Sequence, residues 1–179
     1  MTTKTQYYVA ASADGFIADR EGGLEWLLAF GFEEFTEAYE AFIAEVGLVV
    51  MGSATYEFVL AEGHEWAYSE QTAWVLTRRS LPVVEGGDIR FAQGDVRDLH
   101  AEWVRAAGGR NIWIVGGGDV AAQVADAGLL DEMVLTTMPV VLGGGTPLVP
   151  VKNGAQALEL VSSEALPSGA VTSVYRITR

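Results

Sequence analysis

The sequence contains no cysteine. That removes disulfide scaffolds, thiolate metal sites and cysteine nucleophiles together. Histidine is nearly absent too: His64 and His100 are the only two, and neither has a partner at metal-ligand spacing. No metal site is expected, and both histidines read as surface residues. Basic residues are few, 11 against 24 acidic ones, for a formal charge of −13. Such a surface repels nucleic-acid phosphates and anionic lipid, so neither is an expected partner. No apolar run approaches the roughly 20 residues of a membrane-spanning helix. Residues 1–8 carry neither the basic nor the apolar stretch of a secretory signal, and the expectation is a cytoplasmic protein.

What is present is apolar: half of the 179 residues, enough for a substantial core in a single domain spanning 1–179. Short apolar runs alternate with amphipathic stretches, which predicts an α/β domain. Strands are expected at 6–11, 48–51, 73–77, 89–92, 112–115 and 132–137, with a short apolar segment at 16–18 after the first turn. Two more, near 158–164 and 171–177, are joined by the turn Leu166-Pro167-Ser168-Gly169 as an antiparallel hairpin. Ile112 to Val115 is apolar throughout, as a strand buried in a parallel sheet must be. The clearest helix covers 33–46, where Phe35, Tyr39, Phe42, Ile43 and Val46 form one stripe. Others are expected at 55–60, after the N-cap Asp95, and from Gly118 to about Gly128. The predicted architecture is a mixed, mostly parallel sheet of about eight strands with about four helices.

Two strands run into glycine and then a helix start. Ile114-Val115-Gly116-Gly117-Gly118-Asp119 is one, and Met51-Gly52-Ser53-Ala54-Thr55-Tyr56 the other. Glycine lets backbone approach a phosphate closely, and a helix N-terminus offers free N–H donors. A tight strand-to-helix turn explains the triple glycine equally well. No lysine stands at the spacing of a phosphate-binding loop of the Walker type. Arg78 and Arg79 follow the strand ending Leu76-Thr77, at the carboxyl side where ligands of open α/β sheets gather. They read either as an anion site or as solvated loop cations. Ser12, Ser53 and Ser80 have no His or Asp arrangement that suggests a nucleophile, and Trp74 and Trp113 fall within strands as core residues.

Together with Ser12-Ala13-Asp14-Gly15-Phe16-Ile17-Ala18 and Pro139-Val140-Val141-Leu142-Gly143-Gly144-Gly145-Thr146-Pro147-Leu148, these motifs, in this order, carry a family likeness. The chain resembles the dihydrofolate-reductase-like fold, in particular stand-alone relatives of the reductase domain of bacterial riboflavin biosynthesis. The resemblance implies an NADP-using reductase, with NAD as the alternative, acting on a small flat heterocycle or carbonyl compound and working as a homodimer. It implies that Gly52, Ser53, Ala54 and Thr55 cradle one side of the cofactor pyrophosphate. Gly116, Gly117, Gly118 and Asp119, flanked by Val115 and Val120, would hold the other. Leu76, Thr77 and Arg78 would lie by the adenosine ribose, and Val9, Ala10 and Ile17 by the nicotinamide. Asp14 would fasten the loop over the active site and be the polar group nearest the reacting centre. Substrate would lie against Trp26, Tyr39 and the 139–148 loop.

Two departures stand out. Family members often carry arginine where this chain has Ser53, which leaves Arg78 or Arg79 to pair with a 2′-phosphate. Dihydrofolate reductases also place a carboxylate on the first long helix, facing the pterin. At about 100° per residue, Glu33, Glu37 and Glu40 fall opposite the apolar stripe, on an expected solvated face. A nucleotide-binding or regulatory protein that kept the fold and lost turnover is the competing expectation.

Overall fold

The computed structural model of the chain describes residues 2–63 and 65–178; His64 lies outside them. In chain order the elements are β1 (Thr5–Ser12), β2 (Phe16–Ala18), α1 (Glu25–Leu28), a 3-10 turn (Glu33–Phe35), α2 (Thr36–Ala44), β3 (Val46–Gly52) and α3 (Ser53–Ala61). There follow β4 (Thr72–Leu76), β5 (Asp88–Ala92), α4 (Val96–Ala106), β6 (Asn111–Gly116), α5 (Gly118–Asp126), β7 (Glu132–Met138), β8 (Thr146–Pro147), β9 (Leu158–Ala165) and β10 (Val171–Ile177). Eight strands form one sheet in the order β5-β4-β3-β6-β1-β7-β10-β9, and β2 pairs with β8 in a separate two-stranded sheet. The six strands from β5 to β7 are parallel, and the hairpin β9–β10 is antiparallel. This is the mixed, mostly parallel sheet of eight strands that the sequence pattern predicts.

Both faces of the central strands are covered, which is why they are apolar without alternation. Leu48, Val50, Ile112 and Ile114 pack with Trp103 of α4 and Val120 and Val124 of α5. Val49, Met51 and Val75 pack on the other face with Tyr56 of α3, while Tyr39, Phe42 and Ile43 of α2 close over them. Asp95 caps α4 as its position suggests, its side chain accepting from the Arg97 N–H at 2.9 Å.

Three expectations change. The helix expected over 33–46 is a 3-10 turn followed by α2, and Val46 belongs to β3, where the neighbouring strand gives it complete burial. The helices number five among the described residues, because α1 forms a single uncapped turn with no buried residue. His100 is not a free surface residue: its Nε2 lies 2.9 Å from Thr5 Oγ1, and its ring packs edge-on to Trp103. Among the described residues, no helix is long and apolar enough to cross a membrane.

Candidate active site

Because β1, β3, β4, β6 and β7 run parallel, their carboxyl ends lie along one edge of the sheet. That edge is where the loops of an open α/β sheet leave room for a ligand. β3 and β6 are adjacent, with Met51 opposite Gly116, and each runs directly into a helix. The N-caps of those helices, Gly52 for α3 and Gly117 for α5, offer no side chain to their first-turn N–H groups. Two helix N-termini with free donors and partial positive charge therefore stand side by side. Gly116 has φ of 151°, a conformation that L side chains rarely adopt, and a Cβ there would lie 3.3 Å from Thr55 Oγ1. The structure thus brings together the two glycine turns that the sequence separates by sixty-odd residues.

At the end of β4 the two arginines part company. Arg79 makes a bidentate pair with Glu57, at 3.0 and 2.7 Å, and its N–H donates to Thr77 Oγ1. That pair lowers the pKa of Glu57 by hydrogen bonding and by charge. Arg78 is exposed and makes no ion pair among the described residues.

Beside the same edge, a cavity of about 570 Å³ opens between β1, β7 and the segment from α1 to α2. Ala10 and Tyr8 of β1 and Thr136 and Met138 of β7 form its floor, and Leu27, Phe32, Phe35, Thr36, Tyr39 and Glu40 its walls. Its volume lies within the ordinary range for a small-molecule site. Tyr8 stacks on Phe42 at 4.4 Å and tilts against Tyr39 at 6.4 Å between ring centroids. Burial raises the pKa of both tyrosines, and the neighbouring Tyr39 adds to the rise at Tyr8. Both hydroxyls stay protonated at neutral pH and are available as donors.

Asp14 ties the turn after β1 to the loop after β7. One carboxylate oxygen accepts from Ser12 Oγ at 2.7 Å and from the Leu142 N–H at 3.0 Å; the other accepts from the Gly143 N–H at 2.7 Å. These bonds, the one from Ser12 foremost, hold its pKa below the usual carboxylate value. An ionised acceptor with both oxygens engaged is suited to positioning rather than to handling a proton at the reacting centre. Asp14→Asn puts an NH2 where one backbone N–H now points, so hydrogen exchange at Leu142 and Gly143 should rise severalfold at pH 7. Since the folded pKa is the lower one, the clamp's contribution is complete above the unfolded value of about 3.9 and disappears as pH falls through the folded value. The protection of these amides relative to their intrinsic exchange at each pH should therefore hold to below about pH 4, and a loss of protection at higher pH would overturn the assignment.

The remaining expected residues fall into two groups. Gly52, Ser53, Ala54, Thr55, Val115, Gly116, Gly117, Gly118, Asp119 and Val120 gather at the β3–β6 edge, with Leu76, Thr77 and Arg78 one strand further out. Ala10 and Tyr39 line the cavity, whereas Ile17 sits in β2 and is not among the lining residues. Val9 points to the opposite face, where it packs with the α4 and α5 core, because neighbours along a strand alternate sides. Trp26 is not among the cavity's lining residues; its neighbour Leu27 is. Glu40 is exposed, as expected of the solvated side of its helix, and also borders the open cavity. Thr136 carried no signal in the sequence beyond belonging to an expected strand, and Met138 falls one residue past that strand's expected end.

Residues 66–172 match the family described as the RibD C-terminal domain. The Bacillus subtilis protein YwjB is 34% identical over 148 residues, 83% of this chain and 83% of its own. A Shewanella sp. PV-4 protein assigned provisionally to riboflavin biosynthesis superposes with a TM-score of 0.87 at 28% identity, over 99% of this chain and 100% of its own. The dihydrofolate reductase of Enterococcus faecalis, solved with NADP(H), shares the fold at a TM-score of 0.69 and 17% identity, over 100% of this chain and 99% of its own.

Proposed function

Since the chain belongs to the RibD C-terminal domain family, we propose that it is an NADPH-dependent reductase of a small, flat heterocyclic or carbonyl compound. The observation that carries this reading is the pair of uncapped helix N-termini meeting at adjacent glycine turns, next to an aromatic-walled cavity. The donors fit a dinucleotide: first-turn N–H groups suit a pyrophosphate, and Gly116 leaves no side chain between it and the backbone. Gly52 to Thr55 would hold one side of the pyrophosphate and Gly116 to Asp119 the other. Leu76, Thr77 and Arg78 would meet the adenosine end, and Ala10 and Ile17 the nicotinamide. When bound, the cofactor supplies a hydride from its nicotinamide ring, reducing a C=N or C=O bond while solvent supplies the balancing proton.

The chain's own residues orient and desolvate. Leu27, Phe35 and Met138 give the cavity an apolar lining against which a ring can lose its water, and Tyr8 and Tyr39 offer hydroxyl donors to a carbonyl oxygen or ring nitrogen. Asp14 holds the 142–143 loop in place and acts as a positioning residue. A cytoplasmic homodimer fits this reading. The exposed apolar residues of β9, the open edge of the sheet, support association there: Leu158, Leu160 and Val161.

Five tryptophans make the test direct. NADPH should quench intrinsic fluorescence, and absorbance at 340 nm should fall with some member of a panel of pterins, ribosylaminopyrimidines and quinones. No response to NADPH or NADH at millimolar concentration would sink the cofactor claim. Binding without oxidation across the panel would favour a nucleotide-binding protein without turnover.

A further inference from the structure

We propose that the cavity selects an uncharged or cationic, largely apolar ring compound and rejects phosphorylated ones. Calling that compound a substrate rests on the reductase reading; the selection by charge does not. Of the described residues that line the cavity, Glu40 alone carries a charge, and no arginine, lysine or histidine is among them. An anionic group would enter without a cation to pair with and would face a carboxylate.

Most of the described basic residues are engaged or placed elsewhere. Lys4, Arg79, Arg90, Arg97 and Arg176 form ion pairs with Glu132, Glu57, Asp88, Asp95 and Glu159. The guanidinium of Arg20 donates to the Gly143 carbonyl, and that of Arg110 to the Glu70 carbonyl. Arg78 follows β4, three strand positions from β1 in the sheet order. At a spacing of about 4.8 Å per strand, that is on the order of 14 Å from the cavity floor. What the cavity offers instead is ring surface: Tyr8, Tyr39, Phe32 and Phe35, with few polar groups to fix orientation. Thr136 has its hydroxyl already 2.9 Å from that of Thr172.

The test uses a matched pair of probes, 1,4-naphthoquinone and 1,4-naphthoquinone-2-sulfonate, which share the ring and differ in one anionic group. The chain has no cysteine to be arylated by either. Binding is read from intrinsic fluorescence without cofactor, and a phosphorylated ribosylaminopyrimidine is titrated alongside. The neutral quinone should bind about tenfold or more tighter than the sulfonate. Glu40→Gln should narrow the ratio, and Glu40→Lys should shift it toward the sulfonate. Equal or tighter binding of the sulfonate or the phosphorylated pyrimidine overturns the proposal. So does a neutral quinone that does not bind, or a ratio that ignores both Glu40 variants. NADPH oxidation is measured separately: its absence defeats the reductase reading and leaves the charge ratio standing, while a wrong charge ratio leaves NADPH oxidation untouched.

Discussion

Valine in place of Gly118 should cost the protein both folded stability and dinucleotide affinity. Gly118 is the first residue of α5, and a Cβ built there would collide with the carbonyl oxygens of Pro147 and Leu148. Those atoms are backbone, and the segment bearing them is anchored. The Leu148 carbonyl accepts from Tyr7 Oη at 2.9 Å, and the Leu148 N–H donates to the Gly15 carbonyl at 3.0 Å. The strap cannot yield without breaking one of these bonds, so either the strap or the start of α5 must move. Overpacking of this kind costs about 1–3 kcal/mol. At roughly 2–4 °C per kcal/mol for a chain of this size, Tm should fall by several degrees, with Gly118→Ala intermediate. Because the first turn of α5 would supply pyrophosphate donors, NADPH quenching should vanish at concentrations that saturate the wild type. Gln123→Ala, exposed on the same helix, should leave Tm nearly unchanged. A Gly118→Val protein with wild-type Tm would show that the close approach of α5 to the 147–148 strap carries no weight.

That strap also marks where the sequence ceases to be legible. β3 and β6 could be read because a strand buried on both faces is one apolar run, and Leu48 to Met51 and Ile112 to Val115 are such runs. α4 could be read from its Asp95 cap. β8 has two residues and α1 has four, too few for any period to register. Glu33, Glu37 and Glu40 are exposed, as their side of the stripe predicts. What the stripe does not show is the open cavity beside it: Thr36, Tyr39 and Glu40 fall at i, i+3 and i+4 of α2, and that row borders the cavity. Asp14 reads locally as a turn former before glycine. Its partners Leu142 and Gly143 lie 128 and 129 residues away, beyond the reach of any local pattern.

Arg78 and Arg79 looked interchangeable in the sequence, and the structure separates them into a testable difference. Arg79 already has its planar fork on Glu57, and both partners are well exposed, so the pair itself contributes little to stability. It does orient the Arg79 guanidinium toward α3. Arg78, on the same edge and without an ion partner among the described residues, is the cation left for a 2′-phosphate, since the first residue of α3 is Ser53 rather than arginine. Arg78→Ala should therefore weaken NADPH binding by about ten- to a hundredfold, the worth of one or two charge-assisted hydrogen bonds. NADH binding should change by no more than about twofold, because NADH lacks the group that the guanidinium would pair with. Arg78→Lys should recover only part of the loss, since an ammonium keeps the charge without the bidentate fork. Arg79→Ala should leave the NADPH-to-NADH ratio where it is. Fluorescence titration of the four proteins with each cofactor decides the matter. Equal losses for both cofactors at Arg78→Ala would put that residue on a group common to the two, and a larger change in the ratio at Arg79 would mean that cofactor breaks the pair with Glu57.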